Sequence, residues 1–360
     1  MLKLHRIQLN NWRNQKHLDL TFSPSLTVLV GPNATGKTNT LEAIQLLCSA
    51  QSFRHTKPEQ FVLEGTDNAE ALLDLTEDMR AVNVGVRVID GKRHFFRMGK
   101  KANKKEITQD ILPVLFVPDD LSLVKQSAQF RRDELDTFAS LAHYGYAVLL
   151  KNYTKALAHR NAVLKDWPLN EALLSVLDNQ LSSLGAQLLI HRVALFYDIA
   201  RLTHDIYASV AGGEDLTLEY ESSLTSGELP RDQEAWQELF YKRLQEIRDE
   251  DVRLRQTTVG PHRDNYRFDI NNKDARSYAS QGQQRSAVLA FKFAQVAFTL
   301  ERLSKTPVLL LDDVMSELDE TRRQAVCDYI QKGIQTVITT TNLQYFNQDM
   351  LQDAVIVHFH

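Results

Sequence analysis

The chain has few cysteines, no long apolar run and no excess of positive charge. Two cysteines among 360 residues do not suffice for a disulfide scaffold, and they predict buried thiols in a reducing compartment. No apolar run approaches the roughly 18 residues of a membrane helix, and the N-terminal segment lacks a signal-peptide pattern. We therefore expect a cytoplasmic protein with no membrane-spanning helix.

The charge balance also limits the possible partners. A formal net charge of −4 argues against a protein that binds DNA through an overall positive charge. Any affinity for DNA must then come from a local cluster of cations. With 43% hydrophobic residues, the chain can bury one large core or two ordinary ones.

A phosphate-binding loop is predicted near the N-terminus. Residues 31–38 fit the pattern G-x-x-x-x-G-K-[ST]. An apolar stretch precedes them, and apolar residues at helical spacing follow. A strand, glycine loop and helix in this order aim backbone N–H groups at phosphate, so we predict that ATP binds here. The predicted contacts are Gly31, Pro32, Asn33, Ala34, Thr35, Gly36, Lys37 and Thr38, with Lys37 on the β- and γ-phosphates and Thr38 on Mg²⁺.

Two aspartates close an apolar run near the other end of the chain. Residues 308–311 suit a central parallel strand, whose end can bring Asp312 to Mg²⁺. Asp313 is predicted to orient or deprotonate the attacking water. An apolar strand that merely ends in acids is the alternative. About 275 residues separate Lys37 from Asp312, so the halves of one ATP site would flank a large insertion.

A polar turn precedes a long apolar helix at residues 280–285. A glycine-containing turn at a helix start makes an anion site, with Ser280, Gly282 and Gln283 as candidate contacts. Because this turn lies close in sequence to Asp312, it cannot easily contact the same phosphate that Lys37 binds. This favours a head-to-tail homodimer, in which the turn of each subunit caps the nucleotide of the other. An N-capped core helix is compatible with both interpretations.

These motifs resemble those of a known family. Residues 280–285 resemble the signature of ATP-binding-cassette (ABC) ATPases, and residues 316–319 resemble their D-loop. Over nearly its whole length, the chain resembles the RecF family of bacterial recombination-mediator ATPases, which are related to SMC proteins. The resemblance rests on residues 10–14, 31–43, 52–54, 118–121, 160–161, 258–264, 280–285, 309–319 and 339–341. Thr35 stands where the family often has glutamine. Because backbone contacts dominate there, ATP binding should survive this difference.

The resemblance implies an α/β fold, namely an SMC-like, ABC-type P-loop ATPase head. Residues 1–115 and 288–360 would form a split nucleotide-binding lobe, and residues 116–287 an inserted, mainly helical arm and signature lobe. ATP would close a dimer around DNA at gaps and junctions between single-stranded and double-stranded DNA, and slow hydrolysis would reopen it. The implied partners are RecR, and functionally RecA and single-strand-binding protein, in the cytoplasm at the nucleoid.

The clearest cation cluster lies at residues 92–105, where seven Lys and Arg residues occur within 14 positions. The pattern predicts a strand followed by a turn. Its candidate DNA contacts are Lys100, Lys101, Lys104 and Lys105. An ordinary solvated hairpin is the alternative on sequence alone, and the family resemblance favours the phosphate-contacting role.

Three further residues have candidate roles. Thr341 stands where a transporter-type ATPase has a histidine that senses the γ-phosphate. Threonine can donate a hydrogen bond there but holds no charge, which predicts slow turnover; an ordinary strand-end residue is the alternative. Arg13 and Asn14 lie in a turn that similar ATPases place beside the nucleotide.

Two other functions compete with a DNA-binding ATPase. The ATPase subunit of a membrane transporter shares the signature, but it should carry histidine instead of Thr341. A P-loop kinase would leave residues 280–285 unexplained. Helices are predicted at 145–165, 171–209 and 231–250, with a break at 210–213, and this length suits an arm and not a long coiled coil.

Overall fold

A computed structural model describes residues 2–54, 56–77, 80–210 and 214–360. The predicted break at 210–213 falls largely outside these ranges. Contacts divide the chain into two compact units, one of residues 1–121 and 292–360 and the other of residues 122–291. Within the described ranges, no helix is both long enough and apolar enough to span a membrane.

The first unit begins with a series of strands and two helices. They are β1 (Lys3–Trp12), β2 (Gln15–Thr21), β3 (Leu26–Val30), α1 (Lys37–Ser49), β4 (Asn68–Glu77), β5 (Arg80–Ile89), β6 (Lys92–Arg97), β7 (Lys100–Lys101), α2 (Lys104–Ile107) and β8 (Ile111–Phe116). The second unit is mainly helical. It contains α3 (Ala128–Ala142), α4 (Tyr144–Val163), α5 (Glu171–Val210), β9 (Leu216–Glu221), α6 (Gln233–Glu246), α7 (Arg248–Leu254), β10 (Asn265–Ile270), β11 (Lys273–Asp274), α8 (Ala275–Tyr278) and the start of α9 (Gln281–Arg302). The first unit then resumes with β12 (Thr306–Asp312), α10 (Glu320–Ile330), β13 (Thr336–Thr340), α11 (Gln348–Gln352) and β14 (Val355–His358).

A parallel sheet in the order β14-β3-β13-β12-β8 positions the predicted ATP site. Every residue of β3, β12 and β13 is buried, which explains why β3 and β12 are mainly apolar and why β13 consists only of valine, isoleucine and threonine. The strands predicted at 308–311 and 336–340 are therefore confirmed. Because the strands are parallel, β3, β12 and β13 end at one edge, where β3 leads into the phosphate loop and β12 into Asp313.

A second, antiparallel sheet has the order β2-β1-β4-β5-β6-β7. Its valines at 82, 84, 86 and 88 are all buried, as the alternating pattern requires. These side chains share one hydrophobic core with Ile44 and Leu46 of α1 and with Leu310 of the parallel sheet. Helix α1 is thus held in the core, and its first residue is Lys37.

The second unit contains the long helices that the sequence predicts. Helix α5 has 40 residues and so extends about 60 Å, while α4 occupies the predicted 145–165 region. The prediction of one helix over 231–250 was wrong. Two helices occur instead, because Ile247 leaves the helical conformation (φ −102°, ψ 10°) between α6 and α7.

Candidate nucleotide-binding site

The loop between β3 and α1 has the backbone of a phosphate-binding nest. Gly36 precedes the helix with φ 108°, and Ala34 also has a positive φ of 67°. The φ of Gly36 favours glycine there, and a Cβ atom would also require the Gln15 side chain to move, since Nε2 of Gln15 would lie 2.5 Å from it. Successive N–H groups in such a loop converge on an anion at the helix N-terminus.

Lys37 lies at the start of α1 and is only 6% exposed. Its Nζ donates to the carbonyl oxygens of Gly31 and Pro32, each at 2.6 Å. Burial lowers the pKa of Lys37, and the nearby carboxylates of Asp313 and Asp312 act in the opposite direction. The ammonium is therefore held inside the loop, close to the position where phosphate oxygens would accept its hydrogen bonds.

Asp312 joins the two ends of the chain. Its Oδ1 accepts hydrogen bonds from Oγ1 of Thr38 and Oγ1 of Thr339, both at 2.8 Å. The structure thus brings together the predicted Mg²⁺ residues Thr38 and Asp312. A hydroxyl and a carboxylate are hard oxygen donors of the kind that bind Mg²⁺ along with phosphate and water, so these residues fit the ion.

Thr339 is a site residue that the sequence interpretation missed. It pairs in register with Asp312 across β12 and β13. Besides donating to Asp312, its Oγ1 accepts the N–H of Asp313 at 2.9 Å. The sequence signal was the threonine triplet 339–341, of which only Thr341 received a role.

Asp313 has the local features of a catalytic acid–base residue. Its φ of 52° is left-handed, a conformation that is rare for residues other than glycine and concentrated at functional sites. Its Oδ1 is buried and lacks a hydrogen-bond partner among the described residues. Burial raises the pKa of Asp313, Lys37 opposes this, and Asp312 and Glu317 add to the increase. A carboxylate with a raised pKa and an uncommitted oxygen can accept a proton from water.

We predict that Asp313→Asn keeps ATP binding but slows hydrolysis about 100-fold or more, because the proton acceptor is lost while Asp312 remains. Since burial raises the pKa of Asp313, wild-type turnover should fall with decreasing pH earlier than for an ordinary aspartate. Steady-state phosphate release across pH tests both statements. Asp328→Asn is the control, because Asp328 is an exposed aspartate on α10. If Asp313→Asn hydrolyses ATP at the wild-type rate, Asp313 has no role in catalysis.

The three remaining candidates differ in where their side chains lie. Nδ2 of Asn14 donates to the carbonyl oxygen of Ala34 at 3.0 Å, which brings it to the phosphate loop. The guanidinium of Arg13 instead pairs with the fully buried Glu42, with NH2 2.6 Å from Oε2. Thr341 is exposed directly after β13, at the edge where β3 and β12 also end. Nucleotide contact by each of them stays a prediction.

The predicted signature residues form an N-terminal helix cap in the second unit. The N–H of Ser280 donates to Oε1 of Gln283 at 2.8 Å, and the N–H of Gln283 donates to Oγ of Ser280 at 3.2 Å. This reciprocal capping box begins α9, and Gly282 lies in its first turn. Nε2 of Gln283 donates to Oε1 of Glu214 at 2.7 Å. Ser280 is exposed, and because its hydroxyl accepts from Gln283, its own proton can be donated elsewhere.

The predicted cation cluster lies at the β7 edge of the antiparallel sheet. Lys100, Lys101 and Lys105 are exposed and Lys104 is half-buried. Burial lowers the pKa of Lys104, and the neighbouring charge of Arg93 acts in the same direction. Arg97 of the same cluster forms an ion pair, in which its NH2 lies 2.5 Å from Oδ2 of Asp110. The structure thus brings the four predicted lysines to one edge.

Comparisons with known proteins cover nearly the whole chain. The profile of the family described as the RecF/RecN/SMC N terminal domain matches residues 3–359. The DNA replication and repair protein RecF of Oenococcus oeni is 33% identical over 361 residues, which span 98% of this chain and 96% of the relative. The RecF protein of Symbiobacterium thermophilum is 37% identical over 344 residues, which span 95% of this chain and 92% of the relative.

Solved structures give the same result. A structure of the recombination mediator protein RecF-ATPrS in the RecFOR pathway has a TM-score of 0.89 and 30% identity, covering 96% of this chain and 94% of the other. A Pyrococcus furiosus Smc head domain, at 18% identity with a TM-score of 0.58, covers 100% of this chain and 94% of the other and supports the fold alone. The predicted fold, an SMC-like, ABC-type ATPase head, is confirmed, and these matches give the transporter alternative no support.

Proposed function

The chain belongs to the RecF family of DNA replication and repair proteins, which are SMC-type ATPases, and on that premise we propose that it is an ATP-driven DNA clamp. The observation that carries this proposal is the junction of Thr38, Asp312 and Thr339. This junction connects the phosphate loop, near one end of the chain, to the end of β12, near the other. Asp312 and Asp313 both lie near Lys37. A solved relative is described as RecF-ATP, which supports ATP as the nucleotide.

At this site, the loop of residues 31–38 binds the phosphates through backbone N–H groups and Lys37. Thr38 and Asp312 hold Mg²⁺, which neutralises negative charge on the phosphates when bound. Asp313 accepts a proton from the attacking water. Thr339 orients Asp312 and Asp313 through its hydrogen bonds to the carboxylate of Asp312 and the N–H of Asp313. Asn14 supports the loop through Ala34. Thr341 faces the γ-phosphate as an uncharged donor, which makes hydrolysis slow.

We propose a homodimer that forms when ATP is bound. Ser280, Gly282 and Gln283 of one subunit contact the γ-phosphate held by Lys37 of the other. Support comes from the exposed hydroxyl of Ser280 at the N-terminus of α9, where N–H groups and the helix dipole favour an anion. ADP lacks the γ-phosphate, so hydrolysis would release both contacts and open the clamp.

The proposed partners follow from the relatives. One solved relative is described as belonging to the RecFOR pathway, which supports RecR as a partner protein. We propose that the clamp closes at gaps and at junctions of single-stranded with double-stranded DNA, in the cytoplasm at the nucleoid. With RecR it would help RecA to displace single-strand-binding protein.

Binding to gapped, duplex and single-stranded DNA, each measured without nucleotide, with ATP and with ADP, tests the proposed function. We expect tight DNA binding only when ATP is present, and a higher affinity for gapped DNA than for duplex or single-stranded DNA. Asp313→Asn should hold the DNA longest, because it binds ATP and hydrolyses it slowly. DNA affinity that is equal in all three nucleotide states would contradict an ATP-driven clamp.

The salt dependence of DNA binding tests the four lysines. Replacing Lys100, Lys101, Lys104 and Lys105 with glutamine should weaken duplex binding and flatten its salt dependence, because each lost phosphate contact lowers the slope of log affinity against log salt by roughly 0.9. Exposed lysines elsewhere, namely Lys16, Lys57, Lys242 and Lys332, provide a control with the same change of charge. An unchanged slope in the first variant would make this edge an ordinary solvated hairpin.

A further inference from the structure

Two rows of side chains cross the face of the antiparallel sheet that points away from the core. Residues in register on neighbouring strands project from the same face, and the buried valines of β5 occupy the opposite face. One row is Glu70, Arg87 and His94; the other is Leu72, Gly85, Phe96 and Lys101. Both rows end at the strands that carry the cation cluster.

Gly85 allows the ring of Phe96 to lie directly against the sheet. A Cβ atom at Gly85 would lie 2.1 Å from Cζ of Phe96, so any other residue would displace the ring. The guanidinium carbon of Arg87 lies over the same ring, 5.1 Å from its centroid. The result is a layered arrangement of backbone, aromatic ring and guanidinium.

Arg87 is held in this position and yet accessible. Its Nε donates to Oε1 of Glu70 at 2.6 Å, which fixes the guanidinium from the neighbouring strand. The side chain of Arg87 is nevertheless 59% exposed. The ring of Phe96 thus supports one side of the guanidinium, and the other side is open to a flat ligand.

A groove of about 340 Å³ opens beside this arrangement, lined by Arg87, His94, Phe95, Phe96, Gly99 and Lys101. Its volume falls within the range of small-ligand sites, about 300–1,000 Å³. Lys101 lines the groove, and it lies with Lys100 on β7, while Lys92 lies on β6. All three lysines are exposed. The groove therefore combines a planar cation with surrounding positive charge, which complements one nucleotide of a strand.

We propose that this groove holds one unstacked base of a single DNA strand. The base stacks on the guanidinium of Arg87, and the phosphates on either side of it lie near Lys100 and Lys101. Bases of single strands stack on arginine planes in this way, whereas a duplex keeps its base faces covered and can offer only its phosphates. The inference rests on the proposed function and specifies which part of a gapped DNA this edge binds.

Arg87→Lys is the decisive variant, because it keeps the positive charge and removes the plane. Affinity for a single-stranded oligonucleotide should fall about tenfold, since stacking of one base contributes roughly a five- to 150-fold factor. Affinity for duplex DNA and both salt slopes should stay the same, because no phosphate contact is lost. Arg93→Lys is the matched control, because Arg93 is exposed on the neighbouring strand β6 but pairs with Val88, which lies on the opposite face of the sheet from Arg87.

Phe96→Leu provides a second test that changes no charge. Without the ring beneath it, Arg87 loses its support, so single-strand affinity should fall again while duplex affinity and the melting temperature of the protein stay close to wild type. Unchanged single-strand affinity in both variants, or an equal loss on single-stranded and duplex DNA, would overturn the base site and leave the clamp intact. A wild-type protein that binds no DNA with ATP would overturn the clamp as well.

Discussion

Replacing Lys37 with alanine is expected to abolish tight ATP binding while the protein stays folded. Nζ of Lys37 is held within the phosphate loop by two carbonyl oxygens. Negatively charged phosphate oxygens are stronger acceptors for this ammonium than the carbonyl oxygens are. Each hydrogen bond to a charged group contributes about 1.5–3 kcal/mol. Losing two of them should lower ATP affinity roughly 150-fold to 20,000-fold.

Titration calorimetry with ATP would measure this loss, and thermal melting would verify that the variant is folded. Lys37→Met keeps the apolar part of the side chain and should lose ATP affinity to a similar extent. Lys57→Ala changes an exposed lysine of the same unit and should bind ATP normally. Unchanged affinity in a folded Lys37→Ala protein would mean that the loop does not bind phosphate.

Ser280→Arg is expected to prevent ATP-dependent dimerisation while each monomer still binds ATP. The Ser280 hydroxyl and nearby N–H groups could each add about 1.5–3 kcal/mol on a γ-phosphate. A couple of such bonds at each of two sites supply much of the roughly 8 kcal/mol behind a micromolar dimer. Arginine adds bulk at this contact, and loss of the helix cap costs only about 1 kcal/mol, so the fold should survive.

Sedimentation velocity at micromolar protein, with ATP, with ADP and without nucleotide, would test the dimer. Wild type should dimerise with ATP alone, and Ser280→Arg should stay monomeric in all three conditions. Ser280→Thr is the matched control, because it keeps both the hydroxyl and the capping hydrogen bond. If the ATP-bound Ser280→Arg protein dimerises as well as wild type, the shared site is wrong.

The sequence predicted the parts of the site that depend on local order. The phosphate loop is recognisable because a strand, a glycine-rich turn and a helix follow one another within residues 26–48. Asp312 is recognisable because it ends an apolar strand. The cap formed by Ser280 and Gln283 is likewise local, since a serine followed three residues later by glutamine makes a capping box.

What the sequence did not predict depends on pairing between distant segments. Thr339 reaches Asp312 only because β13 lies beside β12 in one register. Arg13 and Asn14 are neighbours in one turn, yet Asn14 contacts Ala34 and Arg13 pairs with Glu42. The end of helix α6 at Ile247 has no glycine or proline to mark it, so the tertiary structure decides where that helix stops.

The order of strands in the parallel sheet has a consequence for biosynthesis. Strand β3 (Leu26–Val30) lies between β13, which begins at Thr336, and β14, so both of its partners emerge from the ribosome about 300 residues after it. Translation at roughly 5–20 residues per second leaves β3 without a neighbour for roughly 15–60 s after it emerges. During that interval the unpaired N–H and C=O groups along β3 can pair with strands of other chains. A nascent chain thus carries its phosphate loop long before the parallel sheet that supports this loop is complete.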